Sequence, residues 1–161
     1  MSTIITGNQL RSLALGTRVE KAAFTLPAST STAMFTVSGG RVVITSFIGE
    51  VTTVVQAQAC NLNVTIDPTG AGAAADLVAA TEINADAVGT FYTVNGVQAD
   101  LLGSQSDGGT QVPTHALARV GRGFMVPAGS ILLKTSATNT GATKWVLTYI
   151  PLDDGASVVA A

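Results

Sequence analysis

Two residues in this sequence could anchor acid–base or covalent chemistry by type alone, His115 and Cys60, and each is the single member of its kind. An imidazole can take a proton from a serine and hand it on, so His115 could serve a Ser-His-Asp relay. No serine, however, sits in Gly-x-Ser-x-Gly, the strained turn that exposes such a nucleophile. His115 therefore reads as a surface residue in a polar stretch. One His and one Cys also fall short of the four ligands that a structural zinc ion takes.

The carboxylates point the same way. Asp67, Asp76, Asp86, Asp100, Asp107, Asp153 and Asp154 stand mostly beside Gly, Pro or Ala, where Asp serves turns through local hydrogen bonds. Asp153-Asp154 could hold calcium at a subunit contact, but no further spaced oxygen donors accompany the pair. Glu20, Glu50 and Glu82 form an acid pair only if folding joins two of them. Gly121-Arg122-Gly123 lacks the Gly-Lys-Ser/Thr that completes a phosphate loop. Asn63-Val64-Thr65 matches the glycosylation sequon but falls within a strand pattern. Aromatic residues, at 5%, are too few for an obvious stacking platform, and Trp145 and Tyr149 read as core. The expectation is a protein without catalytic residues, cofactor or metal.

Composition says more about partners than about chemistry. Only 11% of the 161 residues are charged, against about 25% in an ordinary soluble domain. The exterior must then be Ser, Thr, Asn, Gln, Gly and Ala, which lose little on being covered because few full charges shed water. A subunit buried in an assembly is expected; a neutral Thr-rich monomer is the alternative. With a net charge of −2 and scattered basic residues, Arg119 and Arg122 excepted, nucleic-acid binding is excluded as an expectation. The single cysteine permits no internal disulfide and reads as a small buried hydrophobe. The amino terminus lacks the basic-then-apolar order of a signal peptide, and no apolar run approaches the ~18 residues of a membrane helix. Assembly in a reducing cytoplasm, with no membrane partner, follows.

The elements that position these residues are short strands. The best specified lie in 126–155: one over about 130–137 and another over about 143–150, joined by Asn139-Thr140-Gly141, whose residue types tolerate positive φ and predict a hairpin. In the second strand Trp145, Leu147 and Tyr149 share one face, and Lys144, Val146, Thr148 and Ile150 the other. Residues 18–26 alternate as a first strand. Gly39-Gly40 predicts a hairpin between 33–38 and 41–47, the latter extending to 53 with Gly49 as a bulge. Residues 54–66 read as extended, ended by the Asp67-Pro68-Thr69-Gly70 turn. Residues 76–82 suit either a short strand or a helical turn. Strands follow at 91–94 and 97–102 around Asn95-Gly96, then at 111–120 and 124–126. Residues 1–16 have no strand pattern, and Asn8 is a possible N-cap for a turn or two of helix. Residues 155–161 read as a frayed or partner-bound tail. The fold class is all-β, an antiparallel β-sandwich or jelly-roll-like domain over 22–161, with an extended N-terminal arm over 1–21.

Several of these stretches resemble a known group. The Thr/Ala/Val-rich strands, the run Phe35-Thr36-Val37-Ser38-Gly39-Gly40-Arg41-Val42-Val43-Ile44-Thr45, and the closing Lys144-Trp145-Val146-Leu147-Thr148-Tyr149-Ile150-Pro151-Leu152-Asp153-Asp154-Gly155-Ala156 are similar to small virion proteins of tailed bacteriophages. Within that group the chain most resembles capsid decoration, or cement, proteins, over roughly 33–156. The resemblance implies a β-sandwich, often a trimer, on the outside of the shell at three-fold or quasi-three-fold positions, with no catalytic residues. The function expected is a homotrimeric clamp on the major capsid protein, located on the virion exterior and made in the host cytoplasm. Arg11 and Arg18 of the arm are the candidate contacts to capsid carboxylates. A tail-fibre or spike domain for host receptor binding is the alternative, and a small hydrolase a distant third.

Overall fold

Period-two alternation builds the centre of this fold. A computed structural model describes residues 6–70, 72–94 and 123–161. In them one helix, α1 (Gly7–Leu15), precedes β1 (Thr17–Thr25), β2 (Ser31–Ser38), β3 (Val42–Thr53), β4 (Asn61–Pro68), β5 (Ala75–Asp76), β6 (Thr81–Glu82), β7 (Phe91–Thr93), β8 (Phe124–Val126), β9 (Gly129–Thr135), β10 (Ala142–Pro151) and β11 (Ser157–Ala160). They form two antiparallel sheets packed together as a β-sandwich. Sheet A runs β1-β10-β3-β7 with β8 also on β3, and sheet B runs β11-β2-β9-β4-β5 with β6 also on β4.

β10 lies in the middle of sheet A and buries Thr143, Trp145, Leu147 and Tyr149, the inward set that its alternation predicts. Trp145 meets Phe47 edge-on at 5.4 Å and stacks with Tyr92 at 6.3 Å. Phe47 in turn meets Phe35 of sheet B edge-on at 5.7 Å, so a chain of rings ties the two sheets together. Edge-to-face rings add roughly 0.5–1.5 kcal/mol each to their burial. The indole Nε1 donates to Thr143 Oγ1 at 2.9 Å, which satisfies the one polar atom of the ring.

Both predicted hairpins are corrected. β2 and β3 lie in different sheets, and so do β9 and β10. Gly39 and Gly40 carry the chain across the sandwich instead of folding it back beside itself. Between β9 and β10 the connection is six residues, long enough to span the ~10 Å between sheets. Its turn chemistry is also different. Asn139 and Gly141 do not adopt positive φ; buried Asn139 Oδ1 accepts the N–H groups of Gln56 and Gly141, each at 2.9 Å. Alternation fixes which face a strand buries, not which strand lies beside it.

Several smaller expectations change. Gly49 is not a bulge, since pairing runs unbroken from Glu50 to Ile48 against Lys144 to Val146; the extra residues of β3 are Thr45 and Thr52. A bulge between Lys21 and Phe24 shifts the alternation of β1, so Phe24 packs on the core with Val19. Residues 54–60 form a loop before β4, with Cys60 buried as expected. Residues 75–82 resolve into two short strands on β4. The supposed tail is β11, paired with β2 from Ser157 to Ala160.

The stretch read as an arm divides. Its residues 7–15 are helical, and the first turn closes on the Thr6 carbonyl, so the cap position is Thr6 and not Asn8. Gly16 ends the helix at φ 94 while lying against the Tyr149 carbonyl, where a Cβ would come within 2.4 Å. From Thr17 the chain is paired with β10, so the boundary at residue 21 falls inside a strand of sheet A. Asn95-Gly96, the strands read at 97–102 and 111–120, and His115 lie outside the described residues.

Candidate interaction face

Residues directly opposite each other in antiparallel strands point to the same side, so the pairing register reads out the outer face of sheet A row by row. One row is Glu20, Val146, Ile48 and Thr93; the next is Lys144, Glu50 and Phe91. Toward the α1 end come Arg18, Thr148 and Ser46, then Ile150, Val43 and Met125. Ile48, Ile150 and Met125 are exposed at 39%, 40% and 57%, and Val43, Val146 and Phe91 are half-buried. Leu15, also exposed, precedes Gly16, whose backbone lies beside the Ile150 side chain. The Thr45 bulge pins that corner: its Oγ1 lies 2.8 Å from the Leu15 carbonyl and 2.7 Å from Thr148 Oγ1, so it can donate to the first and accept from the second.

The charges on this face neutralise one another. Arg18 pairs with Glu20 at 2.6 Å, two residues along the same side of β1, and Lys144 pairs with Glu50 at 2.8 Å across β10 and β3. Covering a paired charge costs less than covering a lone one, which would lose its water with nothing in return. The outer face of sheet B differs. Its rows carry Val159, Thr36, Ser130 and Asp67, then Ala33, Leu132, Thr65 and Asp76, then Ser31, Lys134 and Asn63, so exposed Val159 and half-buried Leu132 sit singly among polar neighbours. The apolar, self-neutralised side of the sandwich is sheet A.

The other residues singled out from the sequence are mostly accounted for structurally. Asp153 is not a calcium ligand in waiting: its Oδ2 accepts from the Arg41 backbone N–H (2.7 Å) and Nε (2.9 Å), and its Oδ1 from the guanidinium at 2.7 Å. Those bonds from Arg41 hold the Asp153 carboxyl down to about 2 and raise the Arg41 guanidinium. Among the described residues no group of three or more His, Cys, Asp or Glu side chains could hold a metal ion. Glu20 and Glu50 each face a cation rather than one another. Asp86 is buried against the Tyr92 hydroxyl. Arg18 is engaged by Glu20, and Arg11 lies on α1.

Comparison of the chain with family models, with curated proteins and with solved structures finds no match in any of the three. The geometry and the sequence must carry the functional reading. None of the eight aromatic side chains is exposed: Phe35, Phe47, Tyr92, Trp145 and Tyr149 are buried, and Phe24, Phe91 and Phe124 half-buried. A stacking platform for sugars or bases needs open ring faces, and the sandwich keeps its rings for itself. What the sequence does not show is the apolar row of Ile150, Val43 and Met125. Its signal was half present, because alternation had already turned Ile150 outward.

Proposed function

We propose that this chain is a structural virion protein, a decoration or cement subunit that binds the outer surface of a phage head as a homotrimer. The observation that supports this reading best is the outer face of sheet A: apolar in two rows, with its charges among the described residues, Arg18, Glu20, Lys144 and Glu50, paired among themselves. Such a face suits broad contact with another weakly charged protein surface. The low charge of the whole chain and the resemblance of its strands to decoration proteins support the same reading. The burial of the aromatic rings weighs against the tail-fibre alternative, in which rings would line a groove.

The mechanism is linkage. A subunit that binds only the assembled, expanded shell, through the major capsid protein, stabilises that state in proportion to the logarithm of its free concentration over its dissociation constant. Three copies held together multiply weak contacts through their effective concentration. In this scheme α1 and the residues before it reach the shell, with Arg11 as a contact. Arg18 would have to exchange Glu20 for a capsid carboxylate. An electron-microscopy map of the particle tests the reading: density for the sandwich outside the shell supports it, and density in the tail overturns it.

A further inference from the structure

The loop at 83–90 carries a carboxyl group that the interaction face does not use. Asp86 is 3% exposed, and its Oδ2 accepts a hydrogen bond of 2.5 Å from the hydroxyl of fully buried Tyr92. The loop is fastened through its backbone. Val55 N–H donates to the Asp86 carbonyl at 3.0 Å, Val51 N–H to the Thr90 carbonyl at 2.9 Å, and Gly89 N–H to the Val51 carbonyl at 2.9 Å. One residue before Asp86, Ala85 is held at φ 58, a region that L side chains avoid. A loop that stores strain at Ala85 and seats an acid in the interior depends on its neighbours to stay closed.

The surroundings suit the neutral acid. The ion pairs among the described residues, Arg18–Glu20, Arg41–Asp153 and Lys144–Glu50, do not include Asp86. Among the described residues the titratable group facing its carboxyl is Tyr92 of β7, and Cys60, just before β4, acts on Tyr92 in turn. Tyr92 stacks on Trp145, which is neutral. Among the described residues the Tyr92 O–H is the side-chain donor to it, and that bond by itself does not replace the water that a buried carboxylate gives up. Burial pushes the Asp86 carboxyl up, and the Tyr92 bond offsets that only in part; burial, then the Asp86 bond, pushes the Tyr92 phenol up as well.

We propose that Asp86 is a proton-operated latch: the neutral acid keeps the 83–90 loop docked against β3, and ionisation loosens the loop. On opening, the proton passes to solvent and the carboxylate takes up water, while the Ala85 strain is released. The sign follows from the raised folded value. Docking is fullest below the ordinary aspartate value, weakens as pH rises toward the folded one, and is level beyond it.

Hydrogen exchange of the intact chain tests this, read at the Val51, Val55 and Gly89 amides and corrected for the intrinsic pH dependence of exchange. Protection at these three should fall by up to about tenfold per pH unit above about pH 4 until Asp86 is ionised. The central amides of β9 should not follow, and Asp86→Asn should abolish the fall. Equal slopes in wild type and Asp86→Asn, or a flat wild type, would overturn the latch. Should Asp86→Asn fail to fold, Tyr92→Phe decides: removing the donor should move the fall to higher pH, and an unmoved profile contradicts the proposal.

Discussion

The indole of Trp145 lies directly over Gly49, its cross-strand neighbour, so closely that a Cβ on Gly49 would come within 2.8 Å of three ring atoms. The absent side chain is the space the ring occupies. We predict that Trp145→Ala costs roughly 3–5 kcal/mol through the cavity it leaves. Gly49→Ala should cost roughly 1–3 kcal/mol by forcing the ring away. Denaturant midpoints measure both, and a wild-type midpoint for either would contradict this packing.

Arg41 and Asp153 join the two corners at which the chain crosses between sheets, β2 to β3 and β10 to β11. Because the Asp153 carboxyl is held down to about 2 in the fold, its contribution is present above the ordinary aspartate value and is lost as pH falls toward 2. Wild type should therefore lose stability between about pH 4 and pH 2 more steeply than Asp153→Asn does. Thermal midpoints across that range check it. Identical slopes would remove Asp153 from the account.

Ile48 and Ile150 are exposed on the outer face of sheet A, so changing them should spare the fold. Ile48→Glu with Ile150→Lys is expected to shift stability by no more than about 1 kcal/mol, the sum of two ordinary surface changes. The same pair should weaken self-association or shell binding at least tenfold, because it plants lone charges where a partner would strip their water. Unchanged association and binding would show that the face is not an interface.

A chain of 16.2 kDa with so few charges is expected to sediment and scatter light as a trimer at micromolar concentration. A mass of one subunit under those conditions would contradict the assembly half of the proposal.

The fold was legible in the sequence where a face could be read from neighbours a residue or two apart. The inward row of Trp145, Leu147 and Tyr149 and the strand at Phe91–Thr93 needed nothing else. Partners were not legible. The residue types at Gly39-Gly40 and Asn139-Thr140-Gly141 fit a tight hairpin and a crossing between sheets equally well, and the strand order of the two sheets distinguishes them. β11 was missed because four residues carry too little pattern; Val158 joins the core once β11 is paired with β2. The interaction face was half legible. Alternation turned Lys144, Val146 and Ile150 outward, but the match of Lys144 to Glu50 depends on a register that two bulges in β3 set.

The most direct test of the central claim is binding to expanded capsids stripped of this protein. We predict that the intact chain rebinds the outer surface, raises the temperature at which the shell loses integrity, and does so in proportion to the logarithm of its concentration once binding saturates. Deleting residues 1–16 should weaken that binding while the sandwich and the oligomer persist. If the intact chain neither binds nor protects the shell, the decoration reading is wrong.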